Sequence, residues 1–166
     1  MLHGQKIVFV STVDNNNQTI DKMNIRIWHY QRLINGFLKS ENCLLGRKTY
    51  ELTEWKGPNT WVITKNKKWQ RSNVGTIHNL DDLHLFSEGP VYVLGGDSLH
   101  EQLKNNIDEL HLYVLNNHKG SNPWIEIEMR DWKPIKYESK PFWSYVHLEK
   151  CKNYDPHNLN EEMFYE

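Results

Sequence analysis

The chain alternates between short apolar runs and polar segments. Residues 6–13 form the first apolar run, which is rich in β-branched side chains and bounded by polar residues. Such a run predicts a buried strand, and the polar segment that follows it at 14–18 predicts a loop. The same pattern predicts further strands over 43–45, 60–64, 74–77, 90–94 and 107–114.

Helical signals lie between several of these runs. Apolar residues recur every three or four positions over 28–37, which predicts a helix. Further helices are predicted at 47–51, at 80–83 behind the capping residue Asn79, and at 97–103.

The order of these elements predicts the fold class. Strands that alternate with short helices indicate an α/β fold with a mostly parallel central sheet and helices on both faces. Two late runs, 132–139 and 142–150, predict a C-terminal antiparallel hairpin at the sheet edge. We expect one domain over residues 1–150 and a polar C-terminal tail over 151–166, where the apolar pattern fades.

Composition and charge exclude several classes of protein. Lys+Arg 20 against Asp+Glu 21 leaves a net charge of -1, which argues against nucleic-acid binding because no basic excess is present. No apolar run reaches the roughly 18–20 residues of a membrane helix, and the N-terminus resembles no secretory signal. We therefore expect a cytoplasmic protein without a membrane partner. Cys43 and Cys151 stand far apart, so the sequence predicts neither a disulfide framework nor a metal site.

Three predicted strand ends carry residues suited to phosphate. Glycines at 46 and at 95–96 follow two strands and let the backbone approach a ligand closely. A hydroxyl and a cation, Thr64 and Lys65, end a third strand. The carboxyl ends of parallel strands share one edge of a sheet, which is where ligands bind in such folds.

Several of these segments, in this order, resemble the dihydrofolate reductase family. The resemblance covers nearly the whole chain up to about residue 150. It rests on Trp28-His29, on the run Gly-Arg-Lys-Thr-Tyr-Glu at 46–51, on the strand and glycines at 91–96, and on 108–112 and 120–122.

The resemblance implies a site for NADPH. Its phosphates would lie against residues after the predicted strands, with Thr64 and Lys65 beside the 2′-phosphate. The residues implied are Gly46, Arg47, Lys48, Thr49, Thr64, Lys65, Gly95, Gly96, Asp97, Ser98 and Leu99.

The resemblance also implies a small-molecule substrate, dihydrofolate or a similar planar heterocycle. Trp28, Leu33, Phe37 and Leu94 would hold its ring, with Tyr113 at a position where the family has Thr. The family's active-site carboxylate falls at Leu33, which cannot relay a proton. The substrate site is therefore altered, and the catalytic proton donor is not assigned.

Two residues are weak candidates to replace the missing carboxylate as proton relay, Asp21 and Tyr113. Two alternative functions stay open. One is an NADPH-dependent reductase of another heterocycle, since the riboflavin-pathway pyrimidinone reductases have a run similar to residues 44–51. The other is a non-catalytic binding module whose tail, residues 151–166, contacts a protein partner.

Overall fold

The computed structural model describes residues 1–20, 42–53, 55, 57–86, 89–117 and 119–151. The predicted helix at 28–37 and nearly all of the predicted tail lie outside these residues. The described part contains two α-helices, α1 (Arg47–Thr53) and α2 (Asp97–Leu103). Its ten strands are β1 (Ile7–Asp14), β2 (Gln18–Thr19), β3 (Asn42–Gly46), β4 (Thr60–Ile63), β5 (Gly75–Ile77), β6 (Val91–Gly95), β7 (Glu109–Leu115), β8 (Asn122–Pro123), β9 (Trp132–Ser139) and β10 (Trp143–Lys150).

One mixed sheet joins these strands in the order β5-β4-β3-β6-β1-β7-β10-β9. Its first six strands pair in parallel, whereas β10 pairs antiparallel with both β7 and β9. The short strands β2 and β8 pair with each other, and β2 also pairs with β1. The α/β class, the mostly parallel sheet and the closing hairpin are therefore confirmed.

Alternate strand residues fill two hydrophobic cores, one on each side of the sheet. In β3, Leu44 belongs to one core and Leu45 to the other. Leu99 of α2 lies in the first core, and Tyr50 of α1 packs against the second. The two helices therefore cover opposite faces, as the alternation of elements predicts.

Several details differ from the sequence-based expectation. The element behind Asn79 is a 3₁₀ helix, Leu80–Leu85, whose first turn is capped by the Asn79 side chain accepting from the Asp81 N–H. Residue 18, expected in a loop, belongs to β2, a strand too short to show a period of two. Within the described residues, every helix is too short or too polar to cross a bilayer.

Candidate functional site

The three phosphate-suited segments meet at one edge of the sheet. Strand β3 lies between β4 and β6 and is parallel to both, so Gly46, Ile63 and Gly95 end neighbouring strands. A cavity of about 710 Å³ opens at this edge. Its lining is Gly46, Arg47, Lys48, Thr49, Ile63, Thr64, Lys65, Asn66, His78, Asn79, Leu80, Gly96, Asp97, Ser98, Leu99 and Gln102.

Ten of the eleven residues that the sequence assigns to cofactor binding line this cavity, and Gly95 is the exception. Gly95 is buried and does not line the cavity. Its φ of +140° is a conformation that residues with a Cβ rarely adopt. The Gly95–Gly96 peptide bond is cis.

The segment that follows β3 and the segment that follows β6 pack against each other where Thr49 contacts Gly96. A Cβ added at Gly96 would lie 2.6 Å from Thr49 Oγ1, so the Thr49 side chain would have to shift to admit any other residue at position 96. A Cβ at Gly46 would lie 3.7 Å from the Gly96 backbone nitrogen. Strand β3 and the start of α2 therefore form one continuous wall of closely spaced backbone.

Cations and hydroxyls give the cavity its chemistry. Arg47 forms an ion pair with Glu51 of its own helix at 3.6 Å. Lys48 and Lys65 form no ion pair with any described residue, so both are available to an anion. Asp97 contributes the opposite charge, but it accepts a hydrogen bond from Thr19 Oγ1 at 2.9 Å.

A hydrogen bond from His78, which follows β5, fixes the turn at Thr64, which follows β4. The Nδ1–H of His78 donates to the Thr64 carbonyl oxygen at 2.7 Å, and Thr64 Oγ1 accepts from the Asn66 N–H at 3.1 Å. Six further lining residues are not among those that the sequence assigns to the cofactor: Ile63, Asn66, His78, Asn79, Leu80 and Gln102. The signal for three of them, His78, Asn79 and Leu80, is the end of the adjacent parallel strand β5, which brings residues 78–80 to the same edge.

Helix α2, which carries one wall of the cavity, is attached to the sheet by His100. The His100 Nε2–H donates to the Val93 carbonyl oxygen at 2.9 Å, and the Trp124 indole N–H donates to His100 Nδ1 at 2.9 Å. The imidazole also stacks on Phe9 at a centroid distance of 4.3 Å. Burial lowers the pKa of His100 to about 4, so the ring is neutral near pH 7.

The end of β1 is ordered by the carboxylate of Asp14. Its oxygens accept backbone N–H groups of Asn16, Gln18 and Gly120 at 2.8–3.0 Å. These hydrogen bonds, above all the one from Gly120, hold the pKa of Asp14 below its usual value. Asp14 therefore serves to shape the loops beside the cavity edge.

Comparison with known proteins identifies the family. A family model described as dihydrofolate reductase matches residues 6–144. The chain belongs to the dihydrofolate reductase family. No curated protein matches the sequence.

A solved structure with the dihydrofolate reductase fold is similar to this chain. It is dihydrofolate reductase from Enterococcus faecalis complexed with NADP(H) and RAB-propyl, with a TM-score of 0.65. The similarity covers 87% of this chain and 96% of that one at 15% sequence identity. At that identity the likeness shows a shared fold.

Two of the residues expected on the substrate side of this dihydrofolate reductase family member, Leu94 and Tyr113, do not line the cavity. Leu94 and Tyr113 are each 1% exposed and lie in the second core, where Tyr113 stacks on Tyr145 at a centroid distance of 5.0 Å. The other four expected residues, Asp21, Trp28, Leu33 and Phe37, lie outside the described part of the chain.

Proposed function

We propose that the chain is an NADPH-dependent oxidoreductase and that NADPH binds in the cavity at the ends of β3, β4 and β6. The observation that carries this proposal is the convergence of ten expected cofactor residues on one cavity wall. The volume of about 710 Å³ lies within the range of roughly 300–1,000 Å³ that is usual for ligand pockets.

The lining fits a dinucleotide phosphate. Lys48 and Lys65 supply positive charge without a competing partner among the described residues, and Thr64 supplies a hydroxyl. Gly96 lines the cavity and carries no side chain of its own, which lets a ligand approach the backbone there. These groups would bind the phosphates, with Lys65 and Thr64 beside the 2′-phosphate that distinguishes NADPH from NADH.

NADPH, when bound, supplies a hydride to its substrate. The residues of this chain bind and orient the two reactants. Lys48, Thr64 and Lys65 would fix the phosphate end of the cofactor, while Trp28 and Phe37 would hold the flat apolar ring of the substrate. Leu94, which is 1% exposed in the second core, presents almost no surface to that ring. Holding two reactants in register removes much of the entropic barrier to transfer.

We propose dihydrofolate as the substrate, reduced to tetrahydrofolate at an altered site. Leu33 stands where the resemblance places the acid, so the proton would come from water or from a weaker relay at Asp21 or Tyr113. Turnover should therefore be slow. Leu33→Asp should raise the turnover number, and Asp21→Asn should lower it if Asp21 is the relay.

The cofactor site is tested by the affinity of the full chain for NADPH and NADH, measured by calorimetry. Lys65→Gln should weaken NADPH binding roughly tenfold, because one charge-assisted contact to the 2′-phosphate is lost, and leave NADH binding unchanged. Lys67→Gln is the matched control, since Lys67 is an exposed cation of the same loop that does not line the cavity. Equal effects of the two substitutions would contradict the proposed site.

The reaction is tested by following NADPH oxidation with dihydrofolate and, separately, with a pyrimidinone of the riboflavin pathway. Oxidation with dihydrofolate supports the folate reaction, and oxidation with the pyrimidinone alone supports the second substrate. Tight NADPH binding without oxidation in either assay would favour a binding module over an enzyme.

We also propose that residues 1–150 form the domain and that the tail at 151–166 contacts a protein partner. Deleting 152–166 should leave the melting temperature nearly unchanged and abolish that interaction. A lower melting temperature would mean that the tail stabilises the domain instead. Free thiols at Cys43 and Cys151 fit the reducing cytoplasm, where we place the protein.

A further inference from the structure

Three potential metal ligands meet where β7 pairs with β10. Glu109 and His111 are two residues apart on β7, so their side chains share one face of the sheet. His147 of β10 stands directly opposite His111 in the antiparallel register. One ligand atom from each of the three residues lies within 4.8 Å of the other two.

The three side chains surround a gap. Glu109 Oε2 lies 3.9 Å from His111 Nε2, and Glu109 Oε1 lies 3.8 Å from His147 Nε2. Both distances exceed a hydrogen bond. Ligand atoms about 2.1 Å from a tetrahedral zinc ion are separated by roughly 3.4 Å. The three ligand atoms lie within 4.8 Å of one another, so their separations would have to shorten by about 0.5–1.5 Å to complete the coordination.

The second nitrogen of His111 is already held. His111 Nδ1 lies 2.6 Å from the Tyr145 hydroxyl oxygen. In the tautomer that donates Nδ1–H to Tyr145, Nε2 carries the lone pair, and such an outer hydrogen bond orients metal-binding histidines generally. The rings of His111 and His147 stack at a centroid distance of 4.2 Å and an interplanar angle of 17°, so one ring must turn before both nitrogens face one ion.

His147 Nε2 supplies an independent observation. This nitrogen is buried and makes no hydrogen bond within the described part of the chain. A buried polar atom without a partner is unfavourable, and a metal ion in the gap would satisfy it. The side chain as a whole is 18% exposed, which leaves a route for an ion to enter.

We propose that Glu109, His111 and His147 form a binding site for a divalent transition-metal ion of the zinc type, with water as a further ligand. Two imidazoles and one carboxylate favour Zn²⁺ and its neighbours in the first transition row over Ca²⁺ or Mg²⁺. Glu109 begins β7, whereas the NADPH cavity lies at the opposite, carboxyl ends of the parallel strands. The metal site therefore stands apart from the proposed cofactor site and does not depend on it.

Lys6 forms an ion pair with Glu109 and would compete with a metal ion for its carboxylate. Its ammonium lies 2.6 Å from Glu109 Oε1, and its side chain is 45% exposed. An incoming metal ion can therefore displace Lys6 into solvent. Removing this competitor should strengthen metal binding, an effect opposite in sign to the loss of a ligand.

The test is a titration of the full chain with Zn²⁺, followed by calorimetry, and with Co²⁺, followed by visible absorption. We expect one site per chain. His147→Gln should weaken binding by at least about tenfold, and Tyr145→Phe by up to about tenfold through the orientation of His111. Lys6→Gln should tighten binding up to about fivefold, because it removes the ammonium that competes for the Glu109 carboxylate in a partly exposed ion pair.

Glu149→Gln is the matched control for Glu109→Gln. Glu149 pairs with Glu109 in the register but lies outside the ligand set, so its removal changes the charge and leaves the ligands in place. Circular dichroism of the metal-free variants checks that each is folded, and Lys6→Gln keeps the proposal testable if a ligand variant unfolds. Absence of a single site in the wild type, unchanged binding in His147→Gln, or equal losses in Glu109→Gln and Glu149→Gln would overturn the proposal.

Discussion

Protonation of His100 should control the stability of helix α2 and of the cavity wall that it carries. Trp124 donates to Nδ1 and Val93 accepts from Nε2, so both ring nitrogens are engaged in the neutral form. Adding a proton at Nδ1 removes the acceptor for Trp124 and places a charge in a fully buried site. The folded state should therefore resist protonation.

The size of this effect follows from the pKa. Burial lowers the pKa of His100 from 6.5 to about 4, and each unit corresponds to about 1.4 kcal/mol. Between these two values the unfolded chain binds the proton more readily, so the free energy of unfolding falls as the pH is lowered. The loss should reach about 2 kcal/mol near pH 5 and about 3 kcal/mol near pH 4, and then level off.

Urea unfolding at a series of pH values would measure this dependence in the wild type and in His100→Gln. The variant should be less stable near pH 7, and its free energy of unfolding should fall less steeply between about pH 6.5 and pH 4. The imidazole resonance that is missing from the NMR spectrum of the variant would identify the His100 signal among those of the 9 His of the wild type. The pH dependence of that signal then gives the pKa of His100. A His100 pKa near 6.5, or parallel pH profiles for the two proteins, would refute the reasoning.

Three further substitutions test close packing and the ordering of the β1 loop. Gly96→Ala places a Cβ 2.6 Å from Thr49 Oγ1 and should lower the free energy of unfolding by about 1–3 kcal/mol; adding Thr49→Ala should restore part of it, as a double-mutant cycle would show. Gly75→Ala places a Cβ 2.4 Å from the Trp61 ring and should destabilise by a similar amount, measured as a lower urea midpoint. Asp14→Asn should lower the melting temperature near pH 7. Because the folded pKa of Asp14 is below 3.8, the difference from the wild type should shrink only as the pH falls below that value, and a constant difference would contradict this cause.

The sequence predicts those features whose signals are local. Gly46 and Gly95 each follow an apolar run, and parallel pairing then brings their segments together without further information. The neighbourhood of His111 and His147 could not be predicted in the same way, because it depends on the register between two distant strands. The role of His100 is hidden for a similar reason, since its partner Trp124 comes from a separate loop.

The helix behind Asn79 shows the same limit at a smaller scale. Its cap and its early acids predict where the helix begins, and the structure confirms that start. The capping residues do not predict the 3₁₀ geometry, because α and 3₁₀ helices share them and differ in whether each backbone hydrogen bond spans four residues or three.

The central position of β1 has a consequence for biosynthesis. Ile7 and its neighbours pair with β6 on one side and β7 on the other, and the Ile7 N–H donates to Asp108, 101 residues later. A ribosome adding roughly 5–20 residues per second therefore exposes this apolar strand for several seconds before its partners are made. During that interval the nascent chain carries an unpaired hydrophobic strand, which is the kind of segment that chaperones bind.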